Sequence, residues 1–423
     1  MQFEFSELGR HLAGRSGIGD LMEDLGNALA HGGDEIRMLG GGQPANIPEV
    51  NSLWRRRMEE LLSEPGGMER AMATYDPPRG NPGYIAALAK LFRERFGWNV
   101  GPEHFAITSG GQTAFFLLFN LLAGPMPDGR KRKILLPLVP EYIGYANQGA
   151  FGELFTAVPP LVEITGPHEF KYRVDFDRIE ITEEIAAICV SRPTNPTGNV
   201  LTDAEVARLS KLAKDHGIPL IIDNAYGAPF PNIIFTEAHP HWDEHVILTL
   251  SLSKIGLPGT RTGMVVAHPD VAGAIAGMSS VVGLANPNLG QAVVKPLLES
   301  GEILRLSKEV VQPFYREKSR LAVDWIGESF ADDFEFFIHR SEGAMFLWLW
   351  FPGLPISSDE LYQRLKARGV LVVPGRHFFF GLGETPCSYR DECIRISYAM
   401  EERIVKDGIR AIGEEVRKAF QSA

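Results

Sequence analysis

An alternation between about residues 105 and 270 constrains the fold most. Short apolar runs, Phe105-Thr108, Lys133-Leu138, Ala186-Val190, Pro219-Ile222, Val246-Leu250 and Met264-Ala267, are separated by stretches with helical spacing. Strands buried on both faces read as continuous apolar runs of this length, so the alternation predicts an α/β fold with a mostly parallel central sheet. One of the intervening helices is marked at its start. Thr202-Asp-Ala-Glu205 has capping-box spacing, and Val206, Leu209 and Ala213 follow on one face.

Beyond about residue 300 the pattern changes. A long helical stretch interrupted at Pro313 is followed by Phe334-His339, Ala344-Phe351, a helix from Ser358, Val370-Val373, Cys393-Ser397 and a charged terminal helix. At 423 residues the chain exceeds one average domain. The expected division is a large unit over 46–305 and a smaller α+β unit over 306–423, the latter joined by an N-terminal arm, residues 1–45. That arm packs beside the small unit or reaches toward a partner subunit.

Composition removes several function classes. The formal net charge of −11, with no clustered Lys and Arg, argues against a nucleic-acid or anionic-membrane footprint. The most apolar windows, Phe115-Ala123 and Ala344-Phe351, fall far below the roughly 18 residues of a membrane span. The start, MQFEFSELGRHLAGRSG, mixes acids and bases where a signal peptide has a basic and then an apolar stretch. Cys189, Cys387 and Cys393 match no zinc or disulfide spacing. A soluble, cytoplasmic protein without a metal is expected.

Four segments carry chemistry. Lys254 follows an apolar strand, where a lysine is ordinarily a snorkelling surface cation. Here Ser251 and Ser253 precede it and Pro258-Gly-Thr-Arg261 follows, a set of hydroxyls and a guanidinium suited to phosphate. Thr108-Ser-Gly-Gly-Gln-Thr113 lies between a strand and a helix, so Gly110 and Gly111 can turn backbone N–H groups toward an anion at the helix N-terminus. Such a Gly-Gly pair is by itself more often a tight connection. Asp223 ends an apolar run with Tyr226 three residues on. It reads either as a helix cap or as a carboxylate that keeps a pyridine nitrogen protonated. Ser191-Arg-Pro-Thr-Asn-Pro-Thr-Gly198 is either a plain turn or a rigid mount for the Asn195 amide. Phe115, Phe116, Phe119, Phe346, Trp348 and Trp350 read as core, and His377 as structural.

Asn195-Pro-Thr-Gly198, Asp223-Asn-Ala-Tyr226, Ser251-Leu-Ser-Lys254 and Arg261, in this order and spacing, resemble the class I/II aminotransferases, and the resemblance covers nearly the whole chain. It implies a fold-type I enzyme using pyridoxal 5'-phosphate, a homodimer with active sites shared at the subunit boundary, and amino and 2-keto acids as substrates. Lys254 then carries the cofactor as a Schiff base and shuttles the proton. Asp223 pairs with the ring nitrogen, Asn195 and Tyr226 with the ring oxygen, and Tyr142 stacks on the ring face. Gly110, Gly111, Gln112, Ser251 and Arg261 bind the phosphate, with Tyr75 reaching it from the other subunit. Arg395, with Asn195 and Gly42, holds the substrate carboxylate.

The runs Ser16-Gly-Ile18, Leu21-Met-Glu-Asp-Leu25, Pro140-Glu-Tyr-Ile-Gly-Tyr145 and Gly227-Ala-Pro-Phe-Pro231 resemble the branch of that family that passes the amino group of valine to pyruvate. Two positions depart from the wider family pattern. Arg192 replaces a small or amide residue and reads as a salt-bridge partner. Val281 stands where dicarboxylate-specific relatives place a second arginine, which leaves a side-chain carboxylate without a partner. The competing readings are another fold-type I enzyme of different substrate range or a C–S lyase, a cofactor-binding regulator, for which no basic DNA-binding domain is present, and a non-enzymatic α/β scaffold.

Overall fold

The computed structural model describes residues 3–422 except 15, 18, 20–22, 25, 27–35 and 331–332. Ile18, Leu21, Met22 and Leu25 of the runs quoted above therefore lie outside the described residues. The strands, in chain order, are β1 (Phe105–Thr108), β2 (Lys131–Leu136), β3 (Phe155–Ala157), β4 (Leu161–Gly166), β5 (Glu169–Arg173), β6 (Ile185–Ser191), β7 (Leu220–Asp223), β8 (Val246–Ser251), β9 (Gly263–Val266), β10 (Phe337–His339), β11 (Phe346–Trp350), β12 (Val373–Pro374) and β13 (Cys393–Ser397). The helices that matter here are α1 (Gly111–Leu122), α2 (Asp203–Asp215), α3 (Pro269–Gly283), α4 (Gln312–Phe330), α5 (Ser358–Ala367) and α6 (Glu402–Gln421).

The large sheet runs β1-β9-β8-β7-β6-β2, with β3 and the short pair Gly124–Pro125 both on β2. Pairing is parallel from β8 through β7 and β6 to β2 and β3, and antiparallel where β9 joins β8 and β1. Every residue of β1, β6, β7, β8 and β9 is buried, which is why these strands appear in the sequence as unbroken apolar runs. The expected α2 is present with its capping box. Thr202 Oγ1 accepts the Glu205 N–H at 3.1 Å and a Glu205 carboxylate oxygen accepts the Thr202 N–H at 2.8 Å.

A second sheet runs β12-β13-β11-β10-β5-β4. It draws on both sides of residue 305, because the hairpin β4–β5 reaches forward to pair in parallel with β10. Pro313 does not interrupt the helix near it. Residues 302–330 stay helical, with a wider turn over Leu306–Val311 in front of α4 that accommodates the bond Pro313 cannot donate. Near the N-terminus, Asp24 accepts hydrogen bonds from Tyr362 and, at 2.7 Å, from Lys366 of α5, which ties that stretch to the C-terminal part of the chain. Among the described residues no helix is long and apolar enough to cross a membrane, and no group of acidic, histidine and cysteine side chains could hold a metal.

Candidate active site

Parallel strands end together at one edge of the large sheet, and in such sheets ligands bind beyond the carboxyl ends. Here the register places Ser191, Asp223 and Thr249 side by side at the ends of β6, β7 and β8. Above them lies a cavity of about 390 Å³, lined among others by Gly42, Gly111, Gln112, Tyr142, Asn195, Asp223, Tyr226, Ser251, Lys254, Arg261 and Arg395. Of the residues assigned to the cofactor or the substrate in the sequence, only Gly110 and Tyr75 are absent from that lining. Gly110 packs behind it: a Cβ there would meet the Arg261 guanidinium at 2.0 Å, so glycine is needed for the arginine to reach the N-terminus of α1. Tyr75 is 82% exposed.

Asp223 forms the floor. Its Oδ2 accepts from the Tyr145 hydroxyl, and its Oδ1 accepts the Ala225 N–H at 2.9 Å and the Thr249 hydroxyl at 3.5 Å. Burial still raises its pKa, against those hydrogen bonds and the positive charge of Lys254. Such a carboxyl gains most from a cationic partner entering the cavity.

Lys254 is half-buried, lines the cavity and donates to the Gly42 carbonyl oxygen, with Nζ 5.4 Å from the centre of the Tyr226 ring. Desolvation, reinforced by Arg395 and Arg261 and opposed by Asp223, brings its pKa down to about 8. An appreciable share of the amine is therefore neutral near physiological pH. Arg395, 2% exposed, sits with its guanidinium 4.1 Å from the Phe346 ring centre and 5.4 Å from that of Phe378. Its Nη1 donates to Asn195 Oδ1 at 2.7 Å and its Nη2 to the Gly40 carbonyl at 2.6 Å, while Nε is buried with no partner among the described residues. Burial brings its pKa down to about 10. A buried guanidinium with an unused donor and no carboxylate beside it is suited to a ligand's carboxylate.

The phosphate-binding set is more open. Arg261, in a left-handed backbone conformation at φ 48°, donates to the carbonyls of Pro258 and Ser109 at 3.3 and 3.4 Å. The Ser251 hydroxyl contacts that of Ser253 at 3.0 Å. Gln112 is engaged by its Nε2 with the Gly144 carbonyl at 2.9 Å, so the part of it left for an anion is its backbone. Arg192 is fully used elsewhere: its three nitrogens reach the Leu201 and His239 carbonyls at 2.7 and 2.8 Å and Asp203 at 2.6 Å, which makes it the expected salt-bridge partner. Val281 is 86% exposed and does not line the cavity of its own chain.

Sequence reading passed over several contributors. Phe115 and Phe346 are core residues, as their spacing predicts, that also border the site: Phe115 lines the cavity, and Phe346 with Phe378 flanks Arg395. Tyr145, Thr249 and Glu141 had no role. Their partners lie far away in the chain, and no local spacing announces them.

The family model for aminotransferase class I and II matches residues 50–412. The chain belongs to that family. It is 45% identical to the valine–pyruvate aminotransferase of Escherichia coli over 416 residues, covering 98% of this chain and 99% of the relative. The solved structure of the valine–pyruvate aminotransferase of Salmonella typhimurium superposes with a TM-score of 0.88 at 44% identity, over 96% of this chain and 100% of that one. An aspartate aminotransferase structure from Thermus thermophilus, 23% identical, shares the fold with a TM-score of 0.78 over 98% of this chain and all of that one.

This chain is therefore a fold-type I transaminase dependent on pyridoxal phosphate, acting on amino and keto acids. The residues suit that cofactor. The cavity is of cofactor size, a buried carboxyl raised by desolvation lines it and could pair with a ring nitrogen, a lysine of lowered pKa lines it too, and Arg261 with the N-terminus of α1 could supply phosphate donors.

Proposed function

We propose that this enzyme moves the amino group of valine, or of a similar aliphatic amino acid, to pyruvate, giving 3-methyl-2-oxobutanoate and alanine by a ping-pong mechanism. The observation that carries this is 45% identity to the Escherichia coli valine–pyruvate aminotransferase across almost the whole of both chains. The charge inventory of the cavity agrees. Among the described residues of this chain its lining carries three cations, Lys254, Arg261 and Arg395, enough for the cofactor and one substrate carboxylate.

When bound, pyridoxal phosphate supplies the electron sink that lets the amino acid's Cα–H bond ionise. The protein's part is to hold and to move protons. Arg395, held by Asn195, binds the substrate carboxylate and fixes its orientation. Lys254, with its amine free and partly neutral, would take the proton from Cα and deliver it to the carbon on the far side of the substrate nitrogen. With the cofactor bound, Asp223 would keep the ring nitrogen protonated, Tyr226 and Asn195 would hold the ring oxygen, and Tyr142 would cover the ring. Gly110, Gly111, Gln112, Ser251 and Arg261 would hold the phosphate. Gly42, whose carbonyl oxygen accepts from Lys254, would lie over the substrate.

The working form in this reading is a homodimer. Tyr75 and Val281, each more than four-fifths exposed and neither directed into its own cavity, are then residues offered to a partner's site. The large unit is residues 46–305, and 306–423 with the arm contributes Arg395 and Gly42. A cytoplasmic setting accords with three buried, unpaired cysteines.

The test is direct competition. Enzyme and pyridoxal phosphate are given valine with pyruvate, or aspartate with 2-oxoglutarate, and the amino acids formed are measured by chromatography. Valine with pyruvate should turn over at least about tenfold faster; one methylene of difference is worth only about 1–3 kcal/mol, so 2-aminobutyrate should overlap with valine. Preference for the dicarboxylates would overturn the assignment.

A further inference from the structure

Below the cavity lies a second buried carboxyl that the reading above leaves without a task. Glu141 is 2% exposed. Its Oε1 accepts the Ser191 N–H at 2.8 Å, and its Oε2 accepts the Tyr142 N–H at 3.1 Å and lies 2.6 Å from the Ser191 hydroxyl. Its own N–H donates to the Phe378 carbonyl at 3.0 Å. One residue thus joins three segments of the site, by its side chain the stretch carrying Tyr142 and the end of β6 that is in register with Asp223, and by its backbone the turn whose Phe378 ring flanks Arg395.

A carboxyl in such a place is costly, and an apolar residue of similar volume would pack there without that penalty. Burial drives its pKa up to about 8, against its hydrogen bonds to Ser191 and Tyr142, and the charge of Asp223 adds to the rise. Near neutrality Glu141 therefore keeps its proton and can donate it to the Ser191 hydroxyl while both oxygens go on accepting. It supplies polar ties without a second negative charge next to Asp223.

We propose that Glu141 is a positioning residue for the cofactor: by bonding at once to the Tyr142 N–H and to both polar groups of Ser191, it fixes the Tyr142 ring relative to Asp223 and Asn195. The proposal rests on the stacking role given to Tyr142. Its experimental handle is that glutamine fits the same volume yet cannot make the same ties. Whichever way its amide lies, an NH2 group faces either the Tyr142 N–H or the Ser191 N–H, and one buried donor is left unpaired.

The test is a double-mutant cycle on the full-length chain, read as the apparent dissociation constant for pyridoxal phosphate by fluorescence quenching. Glu141→Gln alone should weaken binding about tenfold, the size of one lost buried hydrogen bond. Tyr142→Ala alone should weaken it by a similar factor of about ten. In the Tyr142→Ala background, Glu141→Gln should add less than about twofold, because the ring it positions is gone. Equal effects in both backgrounds would overturn the proposal and show general loosening of the fold. If Tyr142→Ala leaves affinity unchanged, the stacking role fails and the proposal with it, whereas failure of valine–pyruvate turnover touches neither reading. Should Glu141→Gln fold poorly, Ser191→Ala probes the same tie, with an expected loss of about two- to threefold and the same lack of additivity.

Discussion

Where the second sheet meets the 192–203 segment, Lys171 is paired with Glu342 and Arg192 with Asp203, so each buried cation has its carboxylate. In the cavity, Lys254 has only the Gly42 carbonyl, and Arg395 has Asn195 and the Gly40 carbonyl; no carboxylate among the described residues makes an ion pair with either. Both regions enclose a lysine and an arginine. One corner is electrostatically closed and the other is open. Desolvation lowers Lys171 as well, but there Glu342 opposes it directly; in the open corner no carboxylate pairs with either cation, and the pKa values fall to about 8 for Lys254 and about 10 for Arg395. Anions from outside, a phosphate and a carboxylate, are what relieve that cost, which is the logic of a binding site and not of a structural one.

The largest effect that sharpens the contrast is expected at Lys254. Lys254→Ala removes the proton carrier and should lower alanine formation from valine and pyruvate by about 10⁴-fold or more, while Asp223 keeps its hydrogen bonds from Tyr145, Ala225 and Thr249, so the fold should persist. Residual turnover within tenfold of the parent would remove Lys254 from the mechanism. Next comes Arg395→Gln. The loss of a buried charge-assisted contact should cut kcat/KM for valine by about 10²- to 10³-fold. The cofactor-free protein should melt no lower than the parent, because the arginine has no counter-ion there. A clear fall in melting temperature would place Arg395 with Arg192 among the structural cations.

Legibility followed locality. The strands of the large sheet could be read because each is buried on both faces, and Asn195, Asp223, Lys254 and Arg395 could be found because each lies in or beside such a run. The hairpin β4–β5 was missed since β4 keeps partly and fully exposed residues and gains its place only by pairing with β10, far along the chain. Glu141 and Tyr145 were missed because they act on Ser191 and Asp223, 50 and 78 residues away. Arg192 could be read only halfway: its chemistry called for a partner, but which carboxylate answered was decided by the cap of α2.

A pH titration reads out the desolvation of Lys254. The folded pKa of Lys254 is about 8, below the ordinary lysine value of 10.5, so between those values the unfolded chain binds the extra proton. Stability contributed by this group must then rise as pH climbs from about 8 toward 10.5, and the penalty is fully present below 8. The stability difference between cofactor-free parent and Lys254→Ala, measured by urea unfolding, should move in the parent's favour by up to about 3 kcal/mol across that window. A flat difference would mean that the amine is not desolvated and that the cavity is less closed to water than its geometry implies.

The smallest effect is reserved for the closed corner, and it is one on stability alone. Arg192→Met keeps the aliphatic stem but removes donors to the Leu201 and His239 carbonyls and to Asp203. Asp203 is about half exposed, so water can take over its side of the pair; the buried Leu201 carbonyl is the group left wanting. The expected loss is about 2 kcal/mol, visible as a lower urea midpoint. Arg192 follows Ser191 directly, so a strict test of the comparison is that kcat/KM for valine stays within about twofold of the parent under native conditions. If instead kcat/KM falls by an order of magnitude with little change in the midpoint, the loop bearing Asn195 depends on Arg192 for its alignment, and the boundary between closed and open corners must be drawn on the other side of that residue.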